Sequence, residues 1–152
     1  MDKSEALARR YQRIYAQLGE LLAGTKNKIA CMATMAALLH HKMPHFFWTG
    51  FYCLDNGELT VGPYQGSLAC LVLEKEQGVC WAGILRRQTV IVPDVHEFPG
   101  HIACDSRSKS EIVVPLFDEK KQVWGVLDVD SRALSAFTKI DAEWLEKIVA
   151  LI

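Results

Sequence analysis

Apolar residues recur at helical spacing through the first part of the chain. Leu7, Tyr11, Ile14, Tyr15, Leu18, Leu21 and Leu22 form one stripe of a helix, and Gly24 is placed to end it. Thr25 is then positioned to cap a second helix over 27–41, rich in Ala, Met and Leu, which Pro44 closes. From Phe46 the period shortens. Residues 46–54 are aromatic and extended, Asn56-Gly57 is a hairpin signal, and 58–65 returns as a second strand. Further expected elements are a strand over 68–73, a short helix over 78–87 and a strand over 89–92. A long polar loop, 95–110, follows. A second hairpin joins 111–117 to 122–130 about Asp118-Glu119-Lys120-Lys121. An amphipathic helix over 137–152 closes the chain, with Thr138 as N-cap and Asp141 three positions later. Strands grouped after two helices and joined by hairpins predict an α+β fold. The expected form is a largely antiparallel central sheet with helices packed on one face, the whole of 1–152 forming one domain.

Strand alternation converts this pattern into candidate chemistry. Asp128 and Asp130 share a face. If Asp118 pairs with Lys121 across the turn, Glu111 stands directly opposite Asp128, and three acids converge on that face. Ile112, Val114, Leu116, Val123, Leu127 and Val129 then take the core side. Clustered carboxylates repel, so they call for a cation, a raised pKa or abundant water; a solvated sheet end without function is the competing reading. In the first strand Trp48, Gly50 and Tyr52 share one face. Gly50 between two large aromatics is expected to leave a hollow for a ligand. An aromatic wall facing acids suits a small ligand with an ammonium group and an apolar, polarizable tail.

Composition narrows the setting. The net charge of -1 favours neither nucleic acid nor anionic membrane as a partner. Met1-Asp2-Lys3-Ser4-Glu5 has no signal-peptide pattern and no apolar run spans a bilayer, so a reducing cytoplasmic location is expected. There the five cysteines do not read as a structural disulfide framework. Cys31 and Cys53 sit in apolar elements as packed residues, whereas the polar setting of Cys104 points to a reacting thiol. The spacings of Cys70, Cys80 and Cys104 match neither CxxC nor zinc-ribbon patterns. A zinc site built from His96, His101 and Cys104 lacks a compact ligand pair. His101 is the residue placed to support a nearby thiolate or to face solvent.

A set of motifs then becomes specific in combination. They are Trp48-Thr49-Gly50-Phe51-Tyr52, Gly62-Pro63-Tyr64-Gln65-Gly66, Gly78-Val79-Cys80, Asp94-Val95-His96, Gly100-His101-Ile102-Ala103-Cys104-Asp105, Ser110-Glu111-Ile112-Val113-Val114-Pro115-Leu116 and Gly125-Val126-Leu127-Asp128-Val129-Asp130-Ser131. In this order they resemble the free methionine-(R)-sulfoxide reductases, a catalytic branch of the GAF-domain superfamily. The resemblance spans nearly the whole chain and is weakest over the first two helices. It implies Cys104 as nucleophile, Cys70 as resolving cysteine and Cys80 as an auxiliary thiol able to exchange disulfides. It further implies Glu111, Asp128 and Asp130 as polar substrate residues, and Trp48 and Tyr52 as the wall around the methyl-sulfur end. Trp81 departs from the pattern, because a small residue commonly follows the motif cysteine.

The implied activity is thiol-dependent reduction of free L-methionine-(R)-sulfoxide, recycled by a thioredoxin-like reductant, with no metal or organic cofactor. Proton donation falls to Glu111 or Asp130, and Asp128 remains ionised to hold the ammonium. The family and the amphipathic first helix both lean towards a homodimer. Two alternatives are a non-catalytic GAF small-molecule sensor, which needs no thiols, and a thiol redox sensor, which leaves the acids and aromatics without a role.

Overall fold

The computed structural model describes residues 1–101 and 104–152; Ile102 and Ala103 of the Gly100 to Asp105 motif lie outside the described residues. Helix α1 (Lys3–Leu22) starts where the Asp2 carboxylate accepts from the Glu5 N–H at 2.8 Å. Helix α2 (Lys28–Lys42) is capped by Asn27, not Thr25. The Asn27 side chain accepts from the Ala30 N–H at 3.0 Å, while Thr25 Oγ1 accepts from the Asn27 N–H and so positions the cap. Strands β1 (Trp48–Asp55) and β2 (Glu58–Gln65) meet at Asn56 and Gly57, whose φ values of 51° and 81° are those of the tight hairpin turn.

Strand β3 (Val72–Leu73) is shorter than the apolar run implied. Leu68 and Leu71 are exposed, and residues 66–71 form a loop held by side-chain bonds to its carbonyls and by the Val61 N–H donating to the Leu71 carbonyl at 2.9 Å. Helix α3 (Gly78–Arg86), β4 (Val90–Val92), a single 3-10 turn (Val95–Glu97), β5 (Ser110–Phe117), β6 (Val123–Ser131) and α4 (Lys139–Val149) complete the order. The sheet runs β3-β2-β1-β6-β5-β4, and every neighbouring pair is antiparallel.

The three long helices cover one face, as expected. Tyr11, Leu18, Met35, Leu39 and Leu145 pack there against Phe51, Ile112 and Leu127 of the sheet. Tyr11, Ile14, Leu18 and Leu22 of the α1 stripe are thereby buried within the chain, whereas Tyr15 and Leu21 remain exposed. Short α3 covers part of the second face, where Val79 and Trp81 join Trp48, Tyr52, Val113 and Val126. α3 lies close on β5: a Cβ on Gly83 would stand 2.7 Å from Val113 Cγ1.

The β5–β6 register differs from the expected one by two residues. Glu111 stands opposite Asp130, and Val113 opposite Asp128. One residue of the shift arises at the tip, where Asp118 closes on Gln122 instead of Lys121. Its carboxylate accepts from the N–H groups of Lys120 and Gln122. The second arises from an irregularity between Leu116 and Phe117, which leaves Trp124 as the extra residue. Trp124, not Val123, therefore packs against the main core. Each single slip would turn every side chain over; two restore the faces, so Glu111, Asp128 and Asp130 still point the same way.

Asp141 ties the terminal helix to the first. Its carboxylate accepts from the Thr138 N–H at 2.7 Å and from the Tyr11 hydroxyl at 2.6 Å, with His45 Nε2 at 3.8 Å. Burial alone would raise its pKa. The hydrogen bonds from His45, Tyr11 and Thr138 outweigh that and hold it below its usual value. Asp141→Ala removes a cap and strands a buried hydroxyl, so it should destabilise the fold by about 2–4 kcal/mol at neutral pH. Because the folded pKa is depressed, this stabilisation is present above the unfolded pKa and is lost as pH falls. The difference in Tm between wild type and variant should narrow below about pH 4.

Candidate active site

Two loops converge at one end of the sheet. Cys70, between β2 and β3, and Cys104, between β4 and β5, are joined by a disulfide with a Cα–Cα separation of 5.8 Å. The aromatic wall holds the first loop. Trp48 Nε1 donates to the Ser67 carbonyl at 3.0 Å, and the Tyr52 hydroxyl donates to the Cys70 carbonyl at 3.2 Å. Gly66, at φ 121°, turns the chain directly over Trp48. The second loop descends onto the start of α3 where Gly78 and Gly100 meet, both at positive φ. Beyond Cys104, Arg107 grips Asp105 at 2.7 and 3.0 Å and lies 4.8 Å from the Phe47 ring. The bonds from Arg107 hold the partly buried Asp105 carboxyl well below its usual range.

Below the disulfide is a cavity bordered by Trp48, Tyr52, Cys80, Glu111, Asp128 and Asp130, with Cys104 at its edge. Glu111 and Asp128 are nearly fully buried, and the Cys80 thiol, on the first turn of α3, lies within 4.8 Å of both carboxylates. Burial first, then Asp128 and Asp130, push Glu111 well above its usual pKa. Burial and the charges of Asp128 and Asp105 do the same for Asp130. Burial also raises Asp128, but hydrogen bonds from Glu111 and Cys80 oppose the rise. Glu111 and Asp130 are thus pushed furthest from their usual values, Asp128 is held back by its polar neighbours, and the cluster titrates as a unit. Burial and the same acids raise the Tyr52 phenol, which remains a donor. Asp128 Oδ1 has no hydrogen-bond partner among the described residues.

Several sequence expectations change here. The hollow at Gly50 is filled: a Cβ there would meet the Trp48 indole at 2.6 Å, and Tyr64 stacks on that ring at 5.3 Å. The glycine makes room for the tryptophan rather than for a ligand. His101 borders the cavity with Nε2 buried and unpartnered among the described residues, so that nitrogen does not face solvent. Burial and then His96 lower its pKa, so the ring is neutral and supplies no charge to a thiolate. Cys104 is committed to the disulfide, and the compact group of ligating side chains among the described residues is Cys80, Glu111 and Asp128 rather than the His96 set. Cys31 is buried, and Cys53 packs its sulfur 3.8 Å from Met32, both as expected. The loop-holding bonds of Trp48 and Tyr52 were not foreseen; they depend on a long-range approach that no local pattern carries.

An α+β fold carrying a disulfide beside a buried acidic pocket is the class of structure found in the GAF fold. The GAF domain family matches residues 7–152. The chain is 41% identical over 150 residues to the Escherichia coli free methionine-R-sulfoxide reductase, covering 99% of this chain and 88% of that protein. It is 38% identical over 136 residues to the Saccharomyces cerevisiae protein of the same name, covering 85% and 76%. The X-ray structure of free methionine-R-sulfoxide reductase from Neisseria meningitidis in complex with its substrate superposes with a TM-score of 0.90 at 38% identity, covering 99% and 88%. The chain belongs to the GAF family and, within it, to the free methionine-(R)-sulfoxide reductases, a branch of oxidoreductases.

Cys31, Cys53 and Cys80 are free thiols. Burial raises the pKa of Cys80, and of half-buried Cys53 despite the opposing Lys28. In the disulfide form all three should react slowly with a thiol reagent at neutral pH and all should react rapidly after denaturation. Stopped-flow thiol titration measures both phases; a fast native phase from Cys80 would contradict its burial.

Proposed function

We propose that this protein reduces free L-methionine-(R)-sulfoxide to methionine, using Cys104 as nucleophile and Cys70 as resolving thiol. The supporting observation is the Cys70–Cys104 disulfide at the edge of a cavity bordered by Glu111, Asp128 and Asp130. The Neisseria relative named for this activity and solved with its substrate has the same fold. The substrate ammonium pairs with Asp128, whose Oδ1 is otherwise unpartnered. Trp48 and Tyr52, stacked with centroids 5.8 Å apart, flank the methyl-sulfur end.

The Cys104 thiolate attacks the sulfoxide sulfur, and the oxygen takes a proton from Glu111 or Asp130. Methionine departs, leaving a sulfenic acid on Cys104. The Cys70 thiol then displaces the hydroxyl, giving the disulfide and water. One sulfoxide and two thiols thus become one thioether, one disulfide and one water. A thioredoxin-like dithiol restores both cysteines. Cys80, bordering the same cavity, is the auxiliary thiol able to exchange with the disulfide. Its burial and raised pKa keep it protonated, so that exchange is slow. We further propose a cytoplasmic setting, where such a reductant maintains reduced thiols.

The direct test is thioredoxin-coupled oxidation of reductant with each sulfoxide epimer. The (R) epimer of the free amino acid should be consumed and the (S) epimer spared; consumption of neither by fully reduced protein would shift the reading to a sensor. Cys104→Ser should abolish even a single turnover. Cys70→Ser should yield one methionine per protein and then stall, as read by product quantification after acid quench.

The acid must be protonated to act, so kcat should fall as pH rises through the raised pKa of the cluster. Glu111→Gln and Asp130→Asn should each lower kcat, the loss of the donor costing about 10²–10⁴-fold and removing the alkaline fall. A pH–rate profile unchanged in both variants would remove the acid role.

A further inference from the structure

We propose that Cys80, Glu111 and Asp128 form a binding site for one divalent cation of the zinc class, and that its occupation excludes the amino-acid substrate. The three side chains come from α3, β5 and β6, and their ligating atoms all lie within 4.8 Å of one another. They are 5%, 5% and 6% exposed, and Asp128 Oδ1 is buried without a partner among the described residues. All three border the same cavity, which gives an ion its route of entry.

An ammonium ion calls for carboxylates but not for a thiol. A sulfur between two carboxylates instead matches the ligand set of a borderline-soft cation, with three protein ligands and one position open. A divalent cation held by a thiolate and two carboxylates offsets the mutual repulsion of the acids gathered there. Reduction of sulfoxide does not use this ion. Because Asp128 would bind either ammonium or metal, the cation acts as a reversible block. That exclusion rests on the proposed substrate role of Asp128; the metal binding itself does not.

The disulfide form is the appropriate protein for the test, because Cys70 and Cys104 cannot ligate in it and no turnover takes place. Titration with cobalt(II) should give one equivalent bound and a near-ultraviolet thiolate-to-cobalt charge-transfer band. Zinc should displace the cobalt. Cys80→Ser should abolish the band and weaken zinc binding by at least an order of magnitude, and Asp128→Asn, which retains the thiol, should weaken it as well. Absence of stoichiometric binding, or affinity unchanged in Cys80→Ser, would overturn the site. Free methionine should lower the apparent metal affinity in competition calorimetry. Metal binding indifferent to methionine that does bind would overturn the exclusion, whereas methionine failing to bind metal-free protein would count against the reductase reading alone.

Discussion

Three carboxyl groups on one face of the β5–β6 hairpin repel one another where burial weakens the screening by water. That repulsion orders the remainder of the site. Together with burial it pushes Glu111 and Asp130 well above their usual pKa values and raises Asp128 as well. The arrangement needs a rigid sheet to hold the acids together and a cover to keep them dry. α3 supplies the cover, bringing Cys80 against Asp128. Trp48 and Tyr52 supply an apolar wall at the same cavity.

Recognition and redox chemistry are mechanically joined. The same two aromatic residues that border the cavity donate hydrogen bonds to the carbonyls of Ser67 and Cys70. The loop carrying Cys70 is thus suspended from the pocket wall as well as from β2, where the Val61 N–H donates to the Leu71 carbonyl. On the other side, the Gly78–Gly100 contact and the Asp105–Arg107–Phe47 stack set the path of the chain carrying Cys104. Neither cysteine is positioned by its own secondary structure. Both depend on loops fastened at a few polar points, which suits sulfurs that must alternately meet a substrate, each other and a reductant.

Local patterns carried the elements well. The helical stripe of α1, the Asn56-Gly57 turn and the Thr138–Asp141 cap are short-range signals whose physical causes lie within a few residues. Strand parity placed the three acids on one face even though the exact pairing was off by two residues. Parity depends only on alternation, whereas register depends on the tip and the Trp124 bulge. The apolar run at 68–73 read as a longer strand, because the bonds that draw it away come from Trp48 and Tyr52, distant in sequence. Gly50 read as a hollow because nothing local shows an indole folding back over its own strand. The cysteine spacings alone did not pair Cys70 with Cys104; the family resemblance carried that pairing.

The two irregularities near the outer end of the second hairpin bear on how such proteins can vary. Its polar tip is solvent-facing, a place where chain length is ordinarily free to drift. Here the tip lies about 20 Å along β5 from Glu111, yet it determines whether that residue meets the cavity or the methionine-rich core. Length changes there that survive in related chains should come in pairs, or arrive with a compensating kink elsewhere in the strand. An outwardly idle turn acts as a frame-keeper for chemistry at the opposite end of the sheet.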